Sequence, residues 1–410
     1  EKENPEIKPI DSTVVLGAGL MGGGIAWLFA DKGISVRLKD IHWDALAKGL
    51  ESAQKIYDKL IKIRKTTPRE ANLKMLHISP TVEETGLKNR DLLIEAIVED
   101  MGIKKEVLKG VEQKVSDDCI ICSNTSSLSI TEMASDLKRP ENFIGMHFFS
   151  PVNRMPLVEI MPGEKTSEDT IATVVALSKR LKKTPIVVKN CAGFLVNRIL
   201  IPYVNEAVYL LQDGVDIALI DSLAEKYGMP LGPLALADEV GLDVGYKVAK
   251  LLEDAYGKRM KTAGLFYELN KHETLLGKKS GKGFYEHKSK GKKVNSQVEK
   301  IVNTFRLNHS QHHFVSQKEA LDRLMLIMVN EAARCVEEKI VANHKYLDMA
   351  MIMGTGFPPF RGGILRYADS LGIDYVTLNL NNLSHKFGER FQPAPLLLKM
   401  AENNETFYKD

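Results

Sequence analysis

His147 sits in the apolar run Ile144-Gly145-Met146-His147-Phe148-Phe149, and Glu159 in a second one, Pro156-Leu157-Val158-Glu159-Ile160. A histidine in such a setting is ordinarily a satisfied core residue, but a carboxylate in an apolar strand is seldom buried without a partner. The segment from Pro151 to Pro156 can turn the chain so that the two strands lie side by side. An imidazole held by a buried carboxylate has a fixed tautomer and suits a general base working near neutral pH. Asn124-Thr125-Ser126-Ser127 follows the apolar run Ile120-Ile121-Cys122. That is the carboxyl end of a strand, where open α/β sheets place their ligands, so the Ser126 hydroxyl is a candidate contact. Asn197, in Gly193-Phe194-Leu195-Val196-Asn197-Arg198, falls in the first turn of a long helix. On spacing alone it reads equally as a polar residue at a helix end or as a contact in a pocket between domains.

These groups need a scaffold, and the amino-terminal region supplies a familiar one. Thr13-Val14-Val15-Leu16 is a short β-branched run ending in Gly17-Ala18-Gly19-Leu20-Met21-Gly22, after which Ile25-Ala26-Trp27-Leu28-Phe29-Ala30 reads as a helix. In such a strand, turn and helix each glycine has a mechanical task. Gly17 makes the tight turn, Gly19 lets the backbone approach a pyrophosphate, and Gly22 lets the helix pack close to the strand. The next apolar run, Ser35-Val36-Arg37-Leu38-Lys39, ends in Asp40, at the spacing the dinucleotide fingerprint requires. Asp40 is expected to accept hydrogen bonds from the adenosine ribose and to repel a 2′-phosphate, which favours NAD over NADP. Arg37 and Lys39 weaken that preference slightly.

A helical stretch from Asp44 to about Lys65 and a second from Pro68 to Leu76 come next, punctuated by Lys55, Lys59, Lys62, Arg64, Lys65 and Arg69. An ordinary crossover needs fewer residues, so this reads as an inserted helical arm, either a solvated charged face or an anchor for an anionic ligand. Strand and helix signals then alternate through Asp91–Ile97, Ile103–Val115 and Ile120–Cys122, the rhythm of a parallel sheet. Cys119 and Cys122 resemble a redox pair, but residues three apart in a strand point to opposite faces, so both read as small core residues.

The 410 residues suggest two to four domains at roughly 100–200 residues each. Hydrophobic residues at 44% and charged residues at 27% suit a globular chain rather than a disordered or fibrous one. A formal charge of +3 is too small for a protein that neutralises many nucleic-acid phosphates. No apolar run approaches the ~18 residues of a membrane span. Four irregularly spaced cysteines make no disulfide framework, pointing to a reducing compartment. The polar start Glu1-Lys2-Glu3-Asn4-Pro5 has neither the basic nor the apolar region of a secretory signal. It also lacks an initiator Met, as a piece of a longer chain would.

Five segments together, Gly17-Ala18-Gly19-Leu20-Met21-Gly22, Ser123-Asn124-Thr125-Ser126-Ser127, Met146-His147-Phe148-Phe149-Ser150-Pro151, Pro156-Leu157-Val158-Glu159 and Gly193-Phe194-Leu195-Val196-Asn197-Arg198, resemble the L-3-hydroxyacyl-CoA dehydrogenases of fatty-acid β-oxidation. The resemblance covers nearly the whole chain and is nearest to the dehydrogenase half of multifunctional β-oxidation proteins, without their enoyl-CoA hydratase half. It implies a Rossmann-type NAD-binding α/β domain followed by two duplicated all-α domains. It also implies that His147 removes the proton from the 3-hydroxyl as hydride passes from C3 to NAD, that Glu159 orients His147, and that Ser126 and Asn197 hold the reacting oxygen. Cofactor contacts are implied at Gly17, Gly19, Leu20, Met21, Gly22, Asp40, Ile97, Val98, Glu99, Lys104, Ser126 and Ser150. One departure is Ser150, where many relatives carry Asn: a hydroxyl replaces one amide hydrogen bond but not two. The partners implied are an acyl-CoA thioester substrate and a fused or associated hydratase domain and thiolase subunit. The location implied is the cytoplasm of a bacterium or a β-oxidation organelle, not the secreted compartment.

An internal repeat organises the second half. Arg198–Ala207 aligns with Arg323–Ala332, and Ala237-Asp238-Glu239-Val240-Gly241-Leu242-Asp243 with Ala368-Asp369-Ser370-Leu371-Gly372-Ile373-Asp374. The expected domains are 10–189, NAD-binding with an arm at about 44–77, then 190–287 and 316–410, the two helical copies, with 288–315 as linker. Asp322 stands where the first copy has Asn197, so the second copy is expected to keep the fold and lose the reacting-oxygen contact. In single-copy relatives this domain mediates dimerisation, so an internal duplicate can satisfy the same surface within one chain. Multifunctional relatives also bring the second copy to the substrate pocket, which here implicates Met353-Gly354-Thr355-Gly356-Phe357-Pro358-Pro359. Lys278, Lys279, Lys282, Lys288, Lys290, Lys292 and Lys293 crowd the connection between copies, followed by His309, His312 and His313. They read as a solvated linker, against a landing site for CoA phosphates or adventitious metal binding. Two rival functions remain: a hydroxy-acid dehydrogenase of related architecture acting on non-CoA acids, whose members typically use a lysine where this chain has His147 and Glu159, and a non-catalytic NAD-binding structural protein of the lens-crystallin kind.

Overall fold

The computed structural model describes residues 4–287, 293–309 and 314–409. The chain divides into two compact units, Glu1–Phe194 and Leu195–Asp410. Eight strands form the sheet of the first: β1 (Ser12–Leu16), β2 (Ser35–Lys39), β3 (Ile78–Thr81), β4 (Leu92–Glu95), β5 (Ile120–Ser123), β6 (Phe143–Phe148), β7 (Leu157–Pro162) and β8 (Thr184–Val187). Their order is β3-β2-β1-β4-β5-β6-β7-β8. The first six run parallel, β7 is antiparallel to β6, and β8 is parallel to β7. Strands β4, β5 and β6 are buried along their whole length, as expected of a parallel sheet covered on both faces.

Helices α1 (Leu20–Asp31), α2 (Trp43–Lys62), α3 (Pro68–Met75), α4 (Met101–Glu112), α5 (Ile130–Ala134) and α6 (Glu168–Arg180) connect these strands. The stretch expected as an inserted arm is also the crossover itself. Helix α2 buries Leu46, Gly49, Ala53 and Tyr57, one face at helical spacing, and packs on α1. Gly23 and Gly49 make that approach possible, since a Cβ at Gly23 would stand 2.9 Å from the Gly49 carbonyl oxygen. Helix α3 opens with a capping box, Thr67 with Glu70, behind Pro68 at its first position. Cys119 and Cys122 are free and buried, matching their reading as core residues. Burial pushes the Cys119 thiol up to about 12.

The second unit is helical. Helices α7 (Val196–Gln212), α8 (Ile217–Tyr227), α9 (Pro233–Val240), α10 (Leu242–Tyr256) and α11 (Gly264–Asn270) are followed by α12 (Ser296–Asn308). The same succession then recurs as α13 (Gln317–Glu337), α14 (His344–Thr355), α15 (Ile364–Leu371), α16 (Ile373–Phe387) and α17 (Pro395–Glu402). Local hydrogen bonds are duplicated along with the helices. Asp221 accepts from the Leu234 and Ala235 amides and the Tyr285 hydroxyl, and Asp348 from the Leu365 and Arg366 amides and the Tyr408 hydroxyl.

Helices α7 and α13 pack against each other, and the contact is reciprocal. Arg198 reaches Glu331 at 2.7 Å while Arg323 reaches Glu206 at 2.6 Å, and both guanidinium groups are fully buried. Each also lies over an aromatic ring of its own copy, Tyr256 for Arg198 and Phe387 for Arg323. Equivalent residues exchanging equivalent contacts is the signature of an isologous interface, here closed within one chain.

Candidate functional site

The sheet order puts the ends of β1, β4, β5 and β6 side by side, and each carries one part of the site. Gly17, after β1, has a φ of +90°, and a Cβ there would meet the Ala96 carbonyl oxygen at 2.5 Å. At Gly22 it would lie 1.8 Å from the Gly17 carbonyl oxygen, whereas at Gly19 it would meet nothing within 4 Å. The glycines thus divide as their spacing predicts: two allow close packing, and the third leaves an open approach to the first turn of α1. That helix has no side-chain cap and no acidic residue in its first turn, so its amides and positive end suit a pyrophosphate.

Asp40 follows β2. Its Oδ2 accepts from the Ala18 amide at 2.7 Å and its Oδ1 from the Ile41 and His42 amides, so the residue expected to read the ribose also ties down the glycine turn. A carboxylate has about four acceptor positions, which leaves capacity for ribose hydroxyls. Arg37 is engaged with Thr85 through its backbone oxygen and hydroxyl. The residues present therefore fit a dinucleotide with a free 2′-hydroxyl.

Glu95 and Ser123, the last residues of β4 and β5, pair across the sheet, and the loops they start meet at Glu99. Glu99 Oε1 accepts from Thr125 Oγ1 at 2.7 Å, from the Ser126 amide at 2.9 Å, and from the Ser126 and Ser127 hydroxyls at 3.2 and 3.3 Å. Burial pushes the Glu99 carboxyl up, but the Lys104 charge and the Thr125 and Ser126 hydrogen bonds outweigh it and hold the group below the usual carboxylate range. Lys104, expected at the cofactor, is almost fully buried and paired with Glu95 at 2.7 Å and Glu99 at 3.3 Å. Ile97 is half-buried, Leu20 and Val98 are exposed, and Met21 is half-buried against the core.

His147 and Glu159 face each other in the β6–β7 register. His147 Nδ1 lies 2.9 Å from Glu159 Oε2, with the histidine 7% exposed and the glutamate 0%. With Nδ1–H donated to the carboxylate, Nε2 carries the lone pair that can take a proton. Phe149 and Phe194 flank the imidazole, their ring centroids 4.4 and 6.3 Å away. Asn124 joins this pair to the Ser126 loop, its Oδ1 accepting from the Phe148 amide at 2.9 Å. The exposed Ser150 lies just beyond, before the turn that leads to β7.

Asn197 is half-buried in the first turn of α7, in the second unit, and its counterpart Asp322 lies in α13, ion-paired with Lys318 at 2.7 Å. Phe357, in the stretch expected to border a pocket, is wholly buried against Tyr227 and Tyr367. Of the linker residues, Lys278 and Lys279 pair with Glu239 and Asp243, Lys293 pairs with Glu286, and His309 stacks on Phe305. Lys288, Lys290, Lys292, His312 and His313 lie outside the described residues. Among the described residues no helix is long and apolar enough to cross a membrane.

The sequence alone assigns no role to Glu95 or its neighbour Ser123. The signal that singled out Glu159, an acid inside an apolar run, is present in Leu92-Leu93-Ile94-Glu95 as well.

Two family models match the chain: 3-hydroxyacyl-CoA dehydrogenase, NAD binding domain, over residues 12–191, and 3-hydroxyacyl-CoA dehydrogenase, C-terminal domain, over residues 193–287 and again 320–409. Among curated proteins, a fatty acid oxidation complex subunit alpha from Acinetobacter baylyi is 44% identical over 100% of this chain and 57% of its own length. The chain thus spans little more than half of that relative. A (S)-3-hydroxybutyryl-CoA dehydrogenase from Ralstonia eutropha is 40% identical, with a TM-score of 0.65 over 68% of this chain and 100% of its own. A 3-hydroxybutyryl-CoA dehydrogenase from Escherichia coli K12, at 24% identity, shares the fold with a TM-score of 0.84 over 97% of this chain and 99% of its own.

Proposed function

The chain belongs to the 3-hydroxyacyl-CoA dehydrogenase family, and from that premise we propose that it oxidises L-3-hydroxyacyl-CoA thioesters to 3-ketoacyl-CoA in fatty-acid β-oxidation. The observation that carries the proposal is the buried pair of His147 and Glu159 at the sheet's ligand-binding edge. Its first domain binds NAD, which when bound supplies a hydride acceptor.

The protein's own groups do the rest. Gly17, Gly19 and Gly22 shape the pyrophosphate cradle, with Leu20 and Met21 at its helix end, and Asp40 takes the ribose. The strand-end residues Ile97, Val98 and Glu99 border the cofactor, with Ser150 after β6. Lys104 acts there through Glu99. His147 Nε2 takes the proton of the substrate 3-hydroxyl, while Glu159 accepts Nδ1–H, which leaves the Nε2 lone pair facing the substrate, and stabilises the imidazolium that forms. Ser126, its amide held by Glu99, turns its one hydroxyl proton from Glu99 to the reacting oxygen when substrate is bound. The family resemblance assigns Asn197, in the first turn of α7, a contact to the reacting oxygen, and Asp322 no such role. A relative named as the alpha subunit of a complex, of which this chain spans 57%, supports the hydratase region and thiolase subunit that the resemblance implies as partners.

Turnover of 3-hydroxybutyryl-CoA, followed at the NADH absorbance band, tests the assignment. His147→Gln is expected to leave NADH binding intact and to cut the rate by the ~10²–10⁴ typical of a lost acid–base group. A near-wild-type rate overturns it. The same assay with small hydroxy acids in place of thioesters separates the non-CoA reading, and a wild-type protein that binds NADH but turns over neither supports the structural one.

A further inference from the structure

Glu95 takes no part in the chemistry just described, yet its carboxylate is held by Lys104, the Ile97 amide and the Ser123 hydroxyl together. It is 0% exposed, at the end of β4. Both its oxygens accept from Lys104 Nζ, at 2.8 and 2.7 Å. Oε2 also accepts from the Ile97 amide at 3.2 Å, and Oε1 from the Ser123 hydroxyl, which in turn accepts from the Thr125 amide at 3.1 Å. One side chain therefore grips three separate segments, the loop after β4, helix α4 and the end of β5, and through Ser123 it reaches the loop after β5. A buried ion pair is a poor way to stabilise a core, since apolar residues of similar volume do as well or better. What Glu95 gains over a leucine is control of direction. Its grip on Lys104 holds that cation 3.3 Å from Glu99 Oε2, and Glu99 holds Thr125, Ser126 and Ser127.

We propose that Glu95 is the positioning residue of the cofactor edge, acting through Lys104 on Glu99 and through Ser123 on Thr125 to place the Ser126 loop and the Ile97–Glu99 loop against NAD. This rests on the dinucleotide reading of the first unit and not on the acyl-CoA chemistry.

The test is NADH affinity, read by fluorescence titration of the whole chain without any thioester, so that failure of the activity proposal and failure of this one are distinguishable. Glu95→Gln keeps the shape and removes the charge, and is expected to weaken NADH binding roughly tenfold, the size of one lost hydrogen bond to a charged group. A merely structural role also lowers the unfolding temperature, so the deciding readout is coupling. Because Glu95 acts through Glu99, the Glu95→Gln and Glu99→Gln effects on NADH affinity must be strongly non-additive. Additive effects, or an unchanged affinity in a folded Glu95→Gln protein, overturn the proposal. Should Glu95→Gln not fold, Ser123→Ala, which cuts one link and spares the charges, takes its place in the same cycle. There too coupling to Glu99→Gln supports the proposal and additivity overturns it.

Discussion

Replacing Glu159 by Gln removes one charge from the site and changes almost nothing else in shape. The carboxylate oxygen is 2.9 Å from His147 Nδ1 and fully buried, so its charge is not screened by water. Taking roughly 4 Å between the carboxylate and the positive charge that develops on the imidazole, and an effective dielectric of about 20, the attraction is about 4 kcal/mol. Lost only when the ring is protonated, that energy raises the barrier and slows turnover by about 10³. A second effect acts in the same direction. The Gln amide can donate to Nδ1 instead of accepting from it, which moves the ring proton to Nε2 and blocks the base. The assay is NADH formation from NAD and L-3-hydroxybutyryl-CoA at saturating concentrations of both, beside NADH titration and a thermal melt. We expect unchanged NADH affinity, a melting temperature within a few degrees, and the loss in kcat. Turnover within about threefold of wild type refutes the argument, because it means the imidazole needs no counter-charge.

Further perturbations test the glycine turn and the turn between β6 and β7. Gly19→Ala meets open space and has an ordinary φ, so the protein is expected to melt like wild type yet bind NADH at least roughly tenfold more weakly, whereas Gly22→Ala collides with the Gly17 carbonyl and is expected to lose both. Equal NADH affinity in Gly19→Ala counts against the pyrophosphate site. Lys183 clasps the β6–β7 turn through the Val152 and Met155 carbonyls, and burial, with Lys32 nearby, pulls its amine down to about 8. Between about 8 and about 10.4 the unfolded chain holds a proton the folded one has released, so this group adds stability as pH rises through that window. Melting curves of wild type and Lys183→Met from pH 7 to 10 should therefore diverge, with wild type gaining, and parallel curves contradict the assignment.

Much of this arrangement is legible in the residues alone, and the reason is locality. The glycine turn, Asp40, the His147 and Glu159 runs and the repeat of Arg198–Ala207 in Arg323–Ala332 are signalled by residue types at fixed short spacing, where backbone conformation and side-chain period leave few alternatives. The edge strand β3, Ile78-Ser79-Pro80-Thr81, carries no such signal, because it contains a proline and has little alternation, which an edge position tolerates. The spacing marks Asp40 as a candidate ribose contact but does not show it as the clamp on Ala18, which depends on how closely β2 sits beside β1.

The sequence by itself determined the chemistry on offer: a dinucleotide cradle, an imidazole with a carboxylate, and a helical module written twice. Tertiary structure alone decided which strand ends became neighbours. Only the order β1-β4-β5-β6 brings Glu95, Lys104, Glu99 and the Ser126 loop into one connected cluster, and only the packing of α7 on α13 lets Arg198 and Arg323 exchange partners across the repeat. Such contacts join residues distant in the chain, and their energy exists only once the backbone has been folded to place both partners out of water together.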